Sequence, residues 1–217
     1  MGVFKRYTLT ASGIVFALIF LVVAVRVVHR VIRPSHLENI KVKGPKNAPI
    51  RMVVYSDFQC SACRSAIKPA EELRNEFADV IRIEFRHVPL EHAHGWAMIA
   101  AGFAECAAKQ GKFWEYHDQL YKEQEIWSHA QEPLNFFVRY SKELGLDSAK
   151  MEQCLEDPKT LNQIRSERAM GEKQGVQSTP TYFLNGQRPL VGALQLKTYG
   201  KTTVLEELKK LTSKSQG

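Results

Sequence analysis

The chain has 217 residues, 44% of them hydrophobic and 24% charged, an ordinary globular composition that argues against a disordered chain and leaves room for one domain plus an appendage. Its net charge of +7 does not mark a nucleic-acid binder. Residues 1–46 carry all of that excess, in Lys5, Arg6, Arg26, Arg30, Arg33, Lys41, Lys43 and Lys46 against Glu38, and the remainder is neutral overall.

Tyr7 to Val25 is free of charge, and from Ile14 to Val25 every residue is apolar. At ~1.5 Å per residue this run approaches the ~30 Å hydrocarbon core of a bilayer, and Arg26 is placed to snorkel at its end. Residues 1–33 therefore read as an uncleaved single-pass anchor. A cleaved signal peptide is the alternative, but the bulky, basic Val25-Arg26-Val27-Val28-His29 offers no small-residue cleavage site. The arginines after the run place the following domain in the cytoplasm by the positive-inside rule, against the extracytoplasmic placement given below. Residues 34–49, with Pro34, Gly44, Pro45 and Pro49, read as a linker, and the main domain is expected over 50–217.

Met52-Val53-Val54-Tyr55 is an apolar, β-branched run of the kind found in buried strands. Cys60-Ser61-Ala62-Cys63 follows it and leads into a segment with Ile67, Ala70, Leu73 and Phe77 at helical spacing. A strand that turns into a helix at a Cys-x-x-Cys outlines a redox site. At the helix N-terminus, free N–H groups and the positive end of the macrodipole favour a thiolate at Cys60, with Cys63 one turn on as the resolving thiol. Half of a zinc site is the bland alternative, with Cys106, Cys154, His87, His92 and His94 as further ligands. Cys106 and Cys154 are isolated and far apart, unlike the second close pair of a zinc ribbon, so no metal is expected. His92 and His94, two apart, do not face one another on a helix or a strand.

Val80 to Val88 alternates and predicts a second strand ended by Pro89. From about 93 to 175 the pattern is helical, with breaks at Gly111, Pro133, Gly145 and Asp157-Pro158, giving four or five short helices. Phe113, Trp114, Tyr116, Tyr121 and Trp127 read as its core. Thr181 to Leu184 is a third strand, Asn185-Gly186 a hairpin turn, and Arg188 to Val191 the return strand. Val204, Leu205, Leu208 and Leu211 mark a final amphipathic helix. The order is βαβ, a helical block, then ββα: an α/β thioredoxin arrangement with a helical insertion, preceded by one transmembrane helix.

The chain resembles the DsbA-like branch of the thioredoxin superfamily, membrane-tethered or secreted thiol-disulfide oxidoreductases, from about Ile50 to Leu211. The resemblance rests on residues 55–63 (Tyr-Ser-Asp-Phe-Gln-Cys-Ser-Ala-Cys), on His87-Val88-Pro89-Leu90, on residues 104–114 and on residues 175–181 around Thr179-Pro180. It implies that Cys60 and Cys63 exchange disulfides, and that Pro180 is cis and lies against them with the Thr179 backbone free to pair with an extended substrate. It also implies cysteine-containing exported proteins as substrates, a membrane partner that reoxidises the dithiol, and no organic cofactor or metal. The expected state is a monomer on the periplasmic side of a bacterial cytoplasmic membrane.

The chain departs from that pattern at two positions. Ser61-Ala62 lacks the histidine that strongly oxidising relatives carry between their cysteines, and Val54 stands where many relatives have a buried, proton-relaying carboxylate. The missing histidine predicts a Cys60 less acidic than theirs, and the two departures together keep a reductase or isomerase open as the rival reading, with a tethered binding or chaperone module as a third. In an oxidising compartment Cys106 and Cys154 are candidates for a second disulfide worth ~3–4 kcal/mol, with two buried free thiols as the alternative.

Overall fold

Ile50–Ser56 forms the central strand, because six of its seven residues are buried and only a strand flanked on both edges and covered on both faces can use such a run. The computed structural model describes residues 40–214. In chain order the elements are strand β1 (Val42–Lys43), β2 (Ile50–Ser56), helix α1 (Ser61–Glu76), β3 (Ile81–His87), α2 (Ala97–Lys109), α3 (Phe113–Lys122), α4 (Gln124–Trp127), α5 (Pro133–Glu143), α6 (Ser148–Glu156), α7 (Pro158–Lys173), β4 (Thr181–Leu184), β5 (Leu190–Val191) and α8 (Gly192–Lys214). The sheet order is β1-β3-β2-β4-β5, with β2 and β3 parallel and the other pairs antiparallel. Val54 sits opposite Phe85 on one side and Tyr182 on the other.

This is the expected thioredoxin arrangement with a helical insertion. The expected anchor, residues 1–33, lies outside the described residues. Among those residues no helix is long and apolar enough to cross a membrane.

The insertion starts and stops where the sequence punctuates it. Pro133 and Pro158 open α5 and α7, Asp147 and Asp157 accept backbone N–H bonds at the starts of α6 and α7, and Gly111, Gly145 and Gly175 take positive φ at helix ends. Six helices result rather than four or five, since the break at Glu123 between α3 and α4 is marked by neither glycine nor proline. Phe113, Tyr116, Tyr121 and Trp127 are buried core, as the composition of this block predicts, and Trp114 packs partly buried against it.

Two faces of the sheet are filled differently. Met52, Val54, Tyr182 and Leu184 share one core with α1 and α8, while Val53, Tyr55 and Phe183 form a smaller one with Val88 and Val176. Gly171 of α7 lies so close to the Tyr55 ring that an added Cβ would sit 3.0 Å from it. At the hairpin, Asn185 and Gly186 both take positive φ, the conformation a two-residue turn between twisted strands requires. The last helix differs from its sequence reading: it begins at Gly192, and its buried line is Leu196 and Val204, with Leu205 and Leu211 exposed.

The folded unit also reaches further towards the N-terminus than Ile50. Residues 42–43, read as linker, pair with β3, Val42 opposite Glu84. Beside them Lys41 is 2% exposed and its ammonium contacts two fully buried carboxylates, Glu105 of α2 at 2.8 Å and Glu167 of α7 at 2.5 Å. His87 joins the cluster, with Nε2 3.2 Å from Glu105 and its backbone N–H donated to Glu167 at 2.8 Å. A two-residue strand preceded by one buried lysine is invisible to periodicity.

Cys106 of α2 and Cys154 of α6 lie with their sulfurs 2.06 Å apart in a disulfide across a sequence separation of 48. Replacing both by alanine should lower the unfolding free energy by about 4 kcal/mol on the loop-entropy model, read as a shift in the denaturant midpoint with little change in slope.

Candidate active site

Strand β2 ends at Ser56, and the turn that follows is fastened from several sides before the helix begins. The carboxylate of Asp57, 2% exposed, accepts the Gln59 N–H at 2.7 Å and the Leu90 N–H at 2.8 Å, and lies 2.8 Å from His94 Nδ1. Gln59 in turn accepts the Trp96 N–H, and the Gln124 side chain of α4 donates to the carbonyls of Phe58 and Cys60. The turn is thus locked to the β3–α2 connection and to the insertion.

Cys60 is the N-cap of α1, with φ −73° and ψ 120°. Its sulfur is partly exposed, whereas Cys63 is 1% exposed beneath it and accepts the Asp57 N–H at 3.5 Å. Thr179 and Pro180 lie against the pair. Their peptide bond is cis, and the Cys60 sulfur is 3.6 Å from the Thr179 carbonyl oxygen.

The two thiols are driven apart electrically. Cys60 falls to about 5, first because the Cys63 thiol hydrogen-bonds its thiolate, then because the Thr179 side chain and the Cys63 and Ala62 backbone N–H groups do so; these outweigh the opposing effect of burial. Cys63 is pushed well above its ordinary value by burial and then by the neighbouring Cys60. The acidity of Cys60 therefore arises without a histidine between the cysteines, and at about 5 it lies between the ~3.5 of DsbA and the ~7 of thioredoxin.

Among the described residues the buried Thr179 hydroxyl has no other hydrogen-bond partner, so it is free to donate to the Cys60 thiolate. Thr179→Val should raise the Cys60 pKa by about one unit, the size of one hydrogen bond to a charged group, and a titration of thiolate ultraviolet absorbance would register it.

A cleft of about 520 Å³ opens between the β4–β5 turn and α8, lined among others by Leu190, Tyr199 and Glu207, but none of the residues around Cys60 lines it.

The comparisons with known proteins agree with this geometry. A thioredoxin family model matches residues 38–201. The chain belongs to the thioredoxin family. That match also takes in the lysine-bearing strand.

Among solved structures, the chain superimposes on alpha-DsbA1 of Wolbachia pipientis with a TM-score of 0.68 at 20% identity, covering 80% of this chain and 93% of that one. BdbD of Bacillus subtilis, in its oxidised form, gives 0.65 at 21% identity, covering 78% and 92%. At such identities the likeness is one of fold. In sequence the chain is 37% identical over 147 residues to the Na(+)/H(+) antiporter NhaA 3 of Salinispora tropica, over 68% of this chain but only 22% of that protein. The antiporter name describes that whole protein, of which this thioredoxin-family chain spans under a quarter.

The sequence placed Cys60, Cys63, Thr179 and Pro180 as one site, and the structure brings these four together. Cys106 and Cys154, bonded to each other, are unavailable as thiolate ligands to a metal shared with Cys60 and Cys63. His94 sits before α2 and holds Asp57. The sequence reading missed Gln124, whose role depends on a long-range fold contact, and Ser56 with Tyr121, whose hydroxyls meet at 2.8 Å beside Cys63.

Proposed function

We propose that the protein is a thiol-disulfide oxidoreductase that introduces disulfides into exported proteins by exchange at Cys60 and Cys63. The observation that carries this reading is the pairing of an accessible, acidic Cys60 with a buried Cys63 beside Thr179-Pro180. A substrate thiolate attacks Cys60 of the Cys60–Cys63 disulfide and expels Cys63. A second substrate thiolate then attacks the substrate sulfur of the mixed disulfide and expels Cys60 as thiolate. The substrate loses two electrons and the pair gains them.

Magnitudes favour this direction. A thiol at about 5 is ~99% ionised at pH 7 against ~3% for an ordinary cysteine, a ~30-fold gain in attacking species. Intrinsic nucleophilicity falls with pKa by an exponent of ~0.4–0.5, which takes back a similar factor. No such offset acts on departure: the more acidic thiol leaves faster, so the site is better at releasing an oxidised substrate than at attacking one. The Val54 and Ser61-Ala62 departures favour the reductase or isomerase reading instead, and the direction of equilibrium separates the two.

Extracytoplasmic placement, with residues 1–33 as a single-pass anchor in a bacterial cytoplasmic membrane, is supported by the Cys106–Cys154 disulfide, since disulfides persist in oxidising compartments. A reporter active only outside the membrane, fused after Gly217, should be active. The substrates are cysteine-containing exported proteins, reoxidation falls to a membrane redox partner, and the protein works as a monomer without cofactor. Oxidised protein should restore activity to a reduced, unfolded secreted enzyme stoichiometrically. Full retention of that effect by Cys60→Ala would instead indicate a tethered binding or chaperone module.

A further inference from the structure

Resting on the oxidoreductase reading, Cys63 poses a problem of proton supply. When the Cys60–Cys63 disulfide is attacked, Cys63 departs as a thiolate in a buried place and must gain a proton; in the reverse step its thiol must lose one before its sulfur bonds to Cys60 and expels the substrate thiolate. Val54 provides no carboxylate for this. The Ser56 hydroxyl does lie against the Cys63 sulfur, where it favours the thiolate. Its other contact, the Tyr121 hydroxyl, is itself buried, held well above its ordinary value, and placed to donate to the Asp57 carbonyl at 3.2 Å. A proton cannot leave that way.

Ser56 also lines a small cavity of about 30 Å³ between the sheet, α1 and α3. That volume exceeds the ~10–15 Å³ needed for a water. Its lining includes polar groups from four elements: Ser56 of β2, Glu71 of α1, Trp114 and His117 of α3, and Tyr182 of β4, whose phenol is held well above its ordinary value, first by burial and then by Cys63, and so is no acceptor. Among the described residues the buried Trp114 indole N–H has no protein partner, the kind of group that such a water satisfies.

His117 is built as an acceptor. Its Nδ1 lies 2.7 Å from the carboxylate of Asp118, whose side chain is 60% exposed, so Nδ1 carries the hydrogen and Nε2 is left with its lone pair. Burial holds the imidazole below its usual value, keeping it neutral at pH 7. The charged or titratable groups facing it are Asp118 and Tyr121 on its own helix, Lys43 from β1 and Glu71 from α1. Glu71 is a poorer acceptor, because Lys43 and Arg74 both bond its carboxylate and, despite partial burial, hold it below the usual range.

We propose that Cys63 exchanges its proton through the Ser56 hydroxyl and water in this cavity, with the His117 imidazole as the acceptor and Asp118 relaying to solvent. His117 thereby takes the part of the carboxylate absent at Val54. In resolution, the Cys63 proton passes to His117 as the sulfur attacks Cys60. In oxidation, the imidazolium returns it to the departing Cys63.

The test uses the reduced protein and the aromatic disulfide DTNB. Release of the first thionitrobenzoate reports attack by Cys60, and release of the second, absent in Cys63→Ala, reports attack by Cys63. His117→Gln should slow the second release at least ~10-fold at pH 7, within the range of general acid–base effects, with little effect on the first, and Ser56→Ala, which also touches Cys63, should slow the second release more than the first. Asp118→Asn, at an exposed position that preserves the fold, should move the pH midpoint of the second release downward. If all three leave its rate and pH profile unchanged, or if Glu71→Gln slows it while His117→Gln does not, the relay is overturned. A wild-type protein that gives no Cys63-dependent second release would overturn the oxidoreductase reading itself.

Discussion

Cys63→Ala is expected to convert the protein from a turnover catalyst into a trap. Cys60 keeps its helix N-terminus, the backbone N–H groups and the Thr179 hydroxyl, so it should remain acidic, although less so without the Cys63 thiol that is its main stabiliser. Incubated with a disulfide-bearing polypeptide, the variant should form a mixed disulfide at Cys60 that persists for hours, since uncatalysed rearrangement runs on minutes to hours. Cys60→Ala should form none, because Cys63 is 1% exposed and its thiol is pushed upward by burial. Intact mass on non-reducing samples distinguishes the two. Equal adduct formation by both variants would mean that the cysteines do not have the unequal roles assigned to them.

The second large effect concerns stability and the residue that periodicity hid. Lys41→Ala would leave Glu105 and Glu167, both fully buried, without their ammonium, and among the described residues Glu105 already has one carboxylate oxygen unpaired. Removing one partner of a buried ion pair typically costs ~3–5 kcal/mol, because the remaining charges stay desolvated. Chemical denaturation should show a loss of that size. The combined change Lys41→Met, Glu105→Gln and Glu167→Gln should be milder, since the carboxylates go with the ammonium and Arg86, which loses Glu167, keeps Glu84 as its partner.

The same cluster sets the acid response. Burial opposes ionisation of Glu105, yet His87 and Lys41 outweigh it and hold the group at about 2, so its stabilisation is complete above the unfolded carboxylate range near ~4.3 and is lost as pH falls toward 2. His87 is lowered, chiefly by burial and then by Lys41, so the unfolded state takes up its proton first and stability begins to fall below ~6.5. Acidification should therefore weaken the fold progressively from pH 6.5 downward, and the triple variant should lose the Glu105 part of that slope.

What the sequence revealed and what it concealed divide along physical lines. Met52 to Tyr55 and the Cys60-to-Cys63 turn were legible because a buried strand, a helix start and a thiol pair each carry a local chemical signature. Asn185-Gly186 was legible for the same reason. Lys41 was not, since a lysine beside a short edge strand looks like any solvated charge until α2 and α7 bring Glu105 and Glu167 to it. Ser56, Tyr121 and His117 were hidden likewise: the first two gain their meaning from Cys63 and the third from the cavity it shares with Ser56, neighbours that only the fold brings together. The contacts that make Cys60 acidic were hidden too, since Thr179 lies over a hundred residues away and the Cys63 thiol acts only once the helix start brings it beneath Cys60.

The reduction potential of the Cys60–Cys63 pair tests the central claim most directly. A site whose acidic Cys60 stabilises the dithiol at pH 7 should equilibrate with glutathione buffers at a strongly oxidising value, close to the ~−120 mV of DsbA. A value near the ~−270 mV of thioredoxin would contradict the account and make the protein a reductant.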